Sequence, residues 1–246
     1  MENLLINLME KIPTIRTEED MKDEAVFELE SPMRSILERI LPRIEKGEYD
    51  LIIGIDASGR IPALITEKFI NYVYGIKGLD IPKTRFVAGN IDKENSLKEI
   101  SSWNPQKRVL IVEDVIESGE SIESLCNALG QKNIAYDIVT MGGISMRDDV
   151  ELFKKSSDTL KQKLGTDNIY VGQTGPMDIS GRSDLSGVTK KGIGESFSQS
   201  NKKVGEEYGN TSPDVQEKIN QARVDSDFVV SNLIDWYNQN KEVQDS

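Results

Sequence analysis

The sequence predicts an α/β protein with a doubly wound, mostly parallel sheet, helices on both faces, and helical additions at the N- and C-terminal ends. Short runs of branched apolar residues recur at 51–55, 109–112 and 138–141, each of the length of a strand buried on both faces. Segments with apolar residues at helical spacing separate these runs. Alternation of strands and helices predicts parallel pairing through crossover helices, which gives this fold class.

The elements follow one another in a regular order. After the first strand, apolar residues at helical spacing predict a helix, and the same pattern predicts a second helix from Ser121 and a third over residues 148–164. The interval 89–105 is polar and is expected to be a loop. Branched and aromatic residues predict five strands, at 50–55, 84–88, 109–112, 136–141 and 168–172.

Composition divides the chain into four segments. Residues 1–48, with an apolar stripe from Leu4 to Ile12, form an N-terminal helical segment, and residues 49–172 form the core. Residues 173–212 are rich in Gly, Ser, Thr and Lys, which predicts a polar loop or linker. Residues 213–246 begin with a proline suited to a helix start and continue with a helical apolar pattern, which predicts a C-terminal helix.

The residue counts exclude several kinds of chemistry. The 246 residues include no histidine, which removes imidazole bases and histidine-ligated zinc, so a metal would be bound by oxygen, as Mg²⁺ prefers. The single cysteine, Cys126, excludes a disulfide framework and favours the cytoplasm. The net charge of −12 argues against general nucleic-acid binding, and neither a membrane-spanning run nor a signal peptide is visible.

The chemically richest stretch begins with the apolar run at 109–112. Two carboxylates, Glu113 and Asp114, follow where the strand is expected to end, and a small polar turn leads into the next helix. Backbone N–H groups at such a turn and helix N-terminus are unpaired donors at a positive dipole end, and they can hold a phosphate. The turn, residues 117–121, is expected to lie outside the hydrophobic core, so that its glycine serves the ligand more than the fold.

Residues 109–121 resemble the phosphoribosylpyrophosphate (PRPP) motif of the type I phosphoribosyltransferases. That motif has four apolar residues, two acids, two apolar residues, an acid, Thr or Ser, Gly, any residue, and Thr or Ser, and it matches here without a gap. The alternative is an ordinary strand and helix N-cap, but that needs one capping residue rather than three acids and two hydroxyls.

The loop after the first strand carries a second small polar turn, at a place where ligands bind in open parallel sheets. Its Ser58-Gly59-Arg60 is similar to the pyrophosphate loop of glutamine PRPP amidotransferases. The resemblance implies that Asp56, Ala57, Ser58 and Gly59 contact pyrophosphate and that the forked guanidinium of Arg60 binds its oxygens. The alternative is a strand-to-helix turn with a solvated arginine. A lid that closes over the reacting centre is expected within 89–105.

The resemblance implies transfer of the 5-phosphoribosyl group from PRPP to a nitrogen nucleophile, such as a nucleobase, with release of pyrophosphate. In this scheme Glu113 and Asp114 bind the ribose hydroxyls, directly or through Mg²⁺. Glu117, where the family usually has Asp, lies near the incoming base as a proton acceptor and is, with Arg60, a candidate catalytic residue. The residues expected to hold the 5-phosphate are Ser118, Gly119, Glu120 and Ser121.

Two other functions remain open. The chain could be a non-catalytic regulator that binds PRPP or a nucleotide, or a subunit in which the fold is only structural. The retained acids and hydroxyls argue against the structural role. The expected partners are PRPP and a nucleobase or nucleotide, with neither nucleic acid nor membrane, and a homodimer is possible.

Overall fold

A computed structural model describes residues 24–89, 91–143, 150–174, 183–189, 199–200 and 214–244. The strands are β1 (Tyr49–Asp56), β2 (Lys83–Ala88), β3 (Arg108–Ile116), β4 (Tyr136–Gly143), β5 (Ile169–Thr174), β6 (Val188–Thr189) and β7 (Gln199–Ser200). The helices are α1 (Glu24–Phe27), α2 (Glu30–Glu45), α3 (Arg60–Lys77), α4 (Lys93–Trp103), α5 (Glu120–Gln131), α6 (Val150–Leu164), α7 (Ser183–Ser186) and α8 (Asp214–Gln244).

The main sheet has five parallel strands in the order β2-β1-β3-β4-β5. Helices α3, α4, α5 and α6 each connect one strand to the next, as parallel strands require. The α/β fold with helices on both faces, expected from the alternation of apolar runs and helical segments, is confirmed.

The two faces of the sheet build two separate hydrophobic clusters, because successive strand residues point to opposite sides. The α3-side cluster joins one face to apolar residues of α1, α2, α3 and α8, and the α5-side cluster joins the other face to α4, α5 and α6. Their fully buried sheet residues include Ile52, Leu110, Val112, Val139 and Met141 on the α3 side, and Ile53, Val109, Ile111 and Ile138 on the α5 side.

The terminal helices pack on the core. Helix α2 lies against β5 and β4, and the long helix α8 packs along α3. The expected stripe from Leu4 to Ile12 lies outside the described residues. Of residues 173–212, the structure describes the end of β5, helix α7 and the strands β6 and β7, which pair antiparallel. Across the residues that the structure describes, none of the helices combines the length and apolar character needed to cross a membrane.

Two expectations about the core are wrong. Strand β3 does not end before the acidic pair but continues to Ile116, because β4 pairs with it as far as Gly143. The polar interval 89–105 is not a loop: it holds helix α4, whose Asp92 cap accepts a hydrogen bond from the Asn95 amide at 2.8 Å. Only Leu97, Ile100 and Trp103 turn toward the α5-side cluster, too few for the helical pattern to stand out in the sequence.

Candidate functional site

The candidate site lies at the carboxyl ends of β1 and β3, from which the chain continues toward opposite edges of the sheet. Strands β1 and β3 are neighbours, and β2 lies beyond β1 while β4 lies beyond β3. At such a topological switch point the connections diverge and leave a crevice at the carboxyl ends of the strands. The 57–59 loop follows β1 and the 117–121 turn follows β3, so the two turns expected to bind ligand lie at adjacent strand ends.

A glycine allows the 57–59 loop to lie directly on β3. A Cβ built on Gly59 would lie 2.4 Å from the Ile55 carbonyl oxygen and 3.3 Å from the Glu113 Cα. Any larger residue would push the loop off the strand. The loop is therefore held against the acidic pair, and Ala57 and Ser58 are buried with it. The peptide bond between Asp56 and Ala57 is cis.

The acidic pair is buried inside β3 rather than exposed beyond its end. Glu113 is 4% exposed and Asp114 is 6% exposed. The alternation of the strand changes phase across them, since Val112 and Val115 both pack with the α3-side cluster. Within the described ranges, no side chain forms a hydrogen bond or ion pair with the Asp114 carboxylate.

Arg60 and Asp56 form a closed pair at the end of β1. The Nε and Nη2 atoms of Arg60 donate to the two carboxylate oxygens of Asp56 at 2.7 and 2.8 Å. The guanidinium carbon lies 4.1 Å from the ring centre of Phe86 on β2, at stacking distance. This edge of the guanidinium is therefore occupied by Asp56, and a forked contact from it to pyrophosphate would first have to break the pair.

Phe86 is a site residue that sequence reasoning missed. A Cβ on Gly54 would lie 2.7 Å from the Phe86 ring and 2.6 Å from the Ala63 side chain. The glycine thus opens the space in which the ring reaches across β1 toward α3 and supports Arg60. No local pattern could have indicated this, because the contact joins three elements that are distant in sequence.

The 117–121 turn is the exposed part of the site. Glu117, Ser118 and Glu120 are exposed, and Ser121 is half-buried. Gly119 adopts a φ of +72° immediately before α5 begins, a conformation that glycine takes without strain. The Glu120 amide approaches the Ser118 hydroxyl oxygen at 3.4 Å. The Ile122 amide donates to the Gly119 carbonyl oxygen at 3.3 Å, so an anion at this turn would meet the Glu120 and Ser121 amides at the N-terminus of α5.

The turn is not separate from the core, which corrects the expectation that its glycine serves chiefly the ligand. Gly119 is buried, and a Cβ on it would lie 2.7 Å from Leu160 and 3.2 Å from Leu164 in the α5-side cluster. The Lys163 ammonium also donates to the Ser118 carbonyl oxygen at 3.0 Å. The last turn of α6 therefore holds the 117–121 turn, a role that the sequence pattern did not indicate.

The described carboxylates suit Mg²⁺ that is bound together with a phosphate ligand, but not Mg²⁺ that is held by protein side chains alone. Among the described residues, no group of three or more Asp, Glu, Cys or His side chains is placed to hold a metal ion. The residues that the structure describes therefore offer no all-protein metal cage. Mg²⁺ that arrives with phosphates needs only one or two carboxylates, the other ligands being substrate oxygens and water. Glu113 and Asp114 fit that requirement.

Thiol chemistry does not fit the site. Cys126 is buried on α5, and burial raises the pKa of its thiol to about 12. A thiol with such a pKa stays protonated at neutral pH and is a poor nucleophile.

No protein-family model matches the chain, and no curated protein matches it. Among solved structures, the chain is similar to a purine phosphoribosyltransferase from Pyrococcus horikoshii Ot3. The two are 22% identical, and the match covers 48% of this chain and 73% of that chain with a TM-score of 0.31. A likeness at this level carries no information about the reaction.

Proposed function

We propose that the chain is a phosphoribosyltransferase that moves the 5-phosphoribosyl group of PRPP to a nitrogen atom of a nucleobase. The observation that carries the proposal is the position of the motif at 109–121. Its acids and its turn lie at the switch point of a doubly wound sheet, and the backbone at Glu113 lies against Gly59 of the 57–59 loop. A motif that matched by chance would not be expected to meet a second small polar turn there.

The 117–121 turn is proposed to hold the 5-phosphate. Its exposed Ser118 hydroxyl and the first-turn amides of α5 supply donors, and the helix dipole favours a dianion at this end. Exposure matters, because a phosphate must enter from water. Binding at this turn would place the ribose over the end of β3, above the acidic pair.

Asp114 and Glu113 are proposed to accept hydrogen bonds from the ribose hydroxyls. A carboxylate that is buried without a pairing side chain is costly, and Asp114 is 6% exposed with no such partner in the described ranges. Donors from a bound sugar would offset that cost. Mg²⁺ bound with the substrate would neutralise charge on the departing pyrophosphate.

The pyrophosphate is proposed to lie over the 57–59 loop and Arg60. Because the Nε and Nη2 atoms donate to Asp56, the Nη1 atom is the guanidinium donor proposed to contact pyrophosphate. Stacking on Phe86 and pairing with Asp56 hold the guanidinium in place, so its Nη1 atom could donate to a leaving-group oxygen without reorganising during the reaction.

In the proposed reaction the bond between ribose C1 and the pyrophosphate oxygen breaks, and that electron pair leaves with pyrophosphate. A bond forms between C1 and the base nitrogen, whose lone pair is donated. The nitrogen then releases its proton to Glu117, which is exposed beside the 117–121 turn.

Turnover of PRPP tests the proposal. Pyrophosphate release from Mg-PRPP should depend on one base in a panel of purines, pyrimidines and pyridine bases, and the matching nucleotide should form in equal amount. The variant Glu117→Gln should bind PRPP and release far less pyrophosphate. Binding of PRPP without any nucleotide product across the panel would contradict catalysis.

A second candidate is a regulator that binds PRPP or a nucleotide without turnover. The closed pair between Asp56 and Arg60 favours it, because the pyrophosphate side is already neutralised within the protein. In that case Mg-PRPP should remain intact for hours in the presence of every base and of the wild-type chain.

A further inference from the structure

The last turn of α6 contacts the 117–121 turn through one polar and two apolar side chains. The Lys163 ammonium lies 3.0 Å from the Ser118 carbonyl oxygen and 3.2 Å from a Glu123 carboxylate oxygen on α5. Its side chain is 27% exposed, so it is held between the turn and α5 rather than extended into water. Leu160 and Leu164 close the other side of Gly119.

The bond from Lys163 fixes the direction of a neighbouring amide. A trans peptide unit is planar, and within that plane the Ser118 carbonyl and the Gly119 N–H point in opposite directions. Holding the carbonyl toward α6 therefore directs the Gly119 N–H away from α6. Glycine accepts backbone conformations of either sign, so without this bond the peptide plane could turn over at little cost.

We propose that Lys163 is a positioning residue: it holds the Ser118–Gly119 peptide so that the Gly119 N–H faces the phosphate of the sugar substrate. This inference rests on the proposed function, because it assigns the 5-phosphate to the 117–121 turn. Lys163 acts on the phosphate through the backbone. The pyrophosphate side of the site, around Arg60, is independent of it.

The test measures two ligands on four forms of the full chain. Ribose 5-phosphate probes the 117–121 turn and magnesium pyrophosphate probes the 57–59 loop, both by titration calorimetry well below the melting temperature. Lys163→Met keeps the aliphatic stem and removes the donor. Lys161→Met makes the same charge change on the same helix, two residues away and so on a different face. Glu123→Gln removes the ion pair and leaves the bond to the Ser118 carbonyl.

Lys163→Met should weaken ribose 5-phosphate binding by about tenfold, the effect of one charge-assisted hydrogen bond. Its affinity for magnesium pyrophosphate should stay within about twofold of wild type, as should both affinities of Lys161→Met and Glu123→Gln, since these variants keep the carbonyl bond. A merely structural role of Lys163 would lower both affinities together.

Several results would overturn the inference. Unchanged ribose 5-phosphate binding in Lys163→Met would do so while leaving the proposed function intact, and so would an equal loss for both ligands. An equal loss in Glu123→Gln would assign the effect to the ion pair with α5 instead of the carbonyl bond. Failure of the wild-type chain to bind either ligand would instead contradict the proposed function itself.

Discussion

The two ends of the main sheet each bury a carboxylate, but they surround it differently. At the amino end, the fully buried Asp137 of β4 accepts hydrogen bonds from Arg43 at 2.6 Å, Arg108 at 2.8 Å and the Tyr49 hydroxyl at 2.5 Å. At the carboxyl end, Asp114 of β3 is 6% exposed, and no side chain in the described ranges pairs with its carboxylate.

Under the proposed function, this difference separates a carboxylate with a structural role from one that binds a ligand. Burial raises the pKa of Tyr49, and the adjacent Asp137 carboxylate raises it further, so the hydroxyl remains a donor across the physiological range. Asp137 thus has a permanent set of three donors, which ties α2, β1 and β3 to β4. Among the described residues Asp114 has no comparable set of side-chain donors, and a ligand that supplies donors would offset the cost of burying it.

The largest effect on stability should come from removing the Asp137 carboxylate at the amino end of the sheet. Asp137→Ala leaves two arginines and a buried tyrosine without their shared acceptor, and should lower the free energy of unfolding by about 3–5 kcal/mol. Urea denaturation followed by circular dichroism measures this. Where the variant remains folded, its affinity for Mg-PRPP should equal that of wild type, and a selective loss of PRPP binding would place Asp137 in the site.

Gly119→Val tests the packing of the 117–121 turn on Leu160 of α6. Valine would have to adopt the positive φ of this position, which it disfavours, and its side chain would collide with Leu160. We therefore expect a loss of about 2–4 kcal/mol in unfolding free energy as well as loss of PRPP binding. Gly130→Val is the matched control on α5, because a Cβ there meets no atom within 4 Å. Full stability of Gly119→Val would contradict the observed packing of α6 on the turn.

Asp114→Asn should give the smallest effect on stability and a specific effect on binding. The isosteric change weakens the charge-assisted bonds to ribose hydroxyls and should reduce PRPP affinity about 10- to 100-fold, or roughly 1.5–3 kcal/mol. The unfolding free energy should change by less than about 1 kcal/mol, since no described side chain pairs with the carboxylate.

The control for Asp114→Asn is Asp50→Asn at the opposite end of the sheet. Asp50 accepts the amides of Gln106 and Lys107 at 2.6 and 3.0 Å, so this change should lower stability and leave PRPP affinity unaltered. If both variants lost PRPP affinity equally, the contrast between the two ends of the sheet would not hold.

The sequence predicted the parts of the fold that are encoded locally. Apolar runs identified β1, β3 and β4, because strands covered on both faces are apolar at nearly every position. The edge strands β2 and β5 were identified by their branched and aromatic residues. Helix α4 was missed because it buries only one narrow side, with Ile100 and Ser96 fully covered. The end of β3 was missed because acidic residues disfavour strands, whereas pairing with β4 decides it.

The composition of the site could be predicted, but the internal support of its turns could not. The motif identified the turn and its glycine, and Gly119 has the positive φ that glycine adopts without strain. The contacts of Leu160 and Lys163 with the turn, and of Phe86 with Arg60, join residues more than 25 positions apart. Such contacts depend on how helices pack, which single-sequence periodicity does not specify.

Thermal unfolding in the presence of Mg-PRPP tests most directly the claim that the carboxyl end of the sheet is a PRPP site. At a ligand concentration about 100 times the dissociation constant, linkage predicts about 2.7 kcal/mol of added stability. For a chain of this size that raises the melting temperature by about 5–10 °C. Asp50→Asn should show the full rise and Asp114→Asn a much smaller one. A melting temperature unchanged by millimolar Mg-PRPP in the wild-type chain would contradict the account.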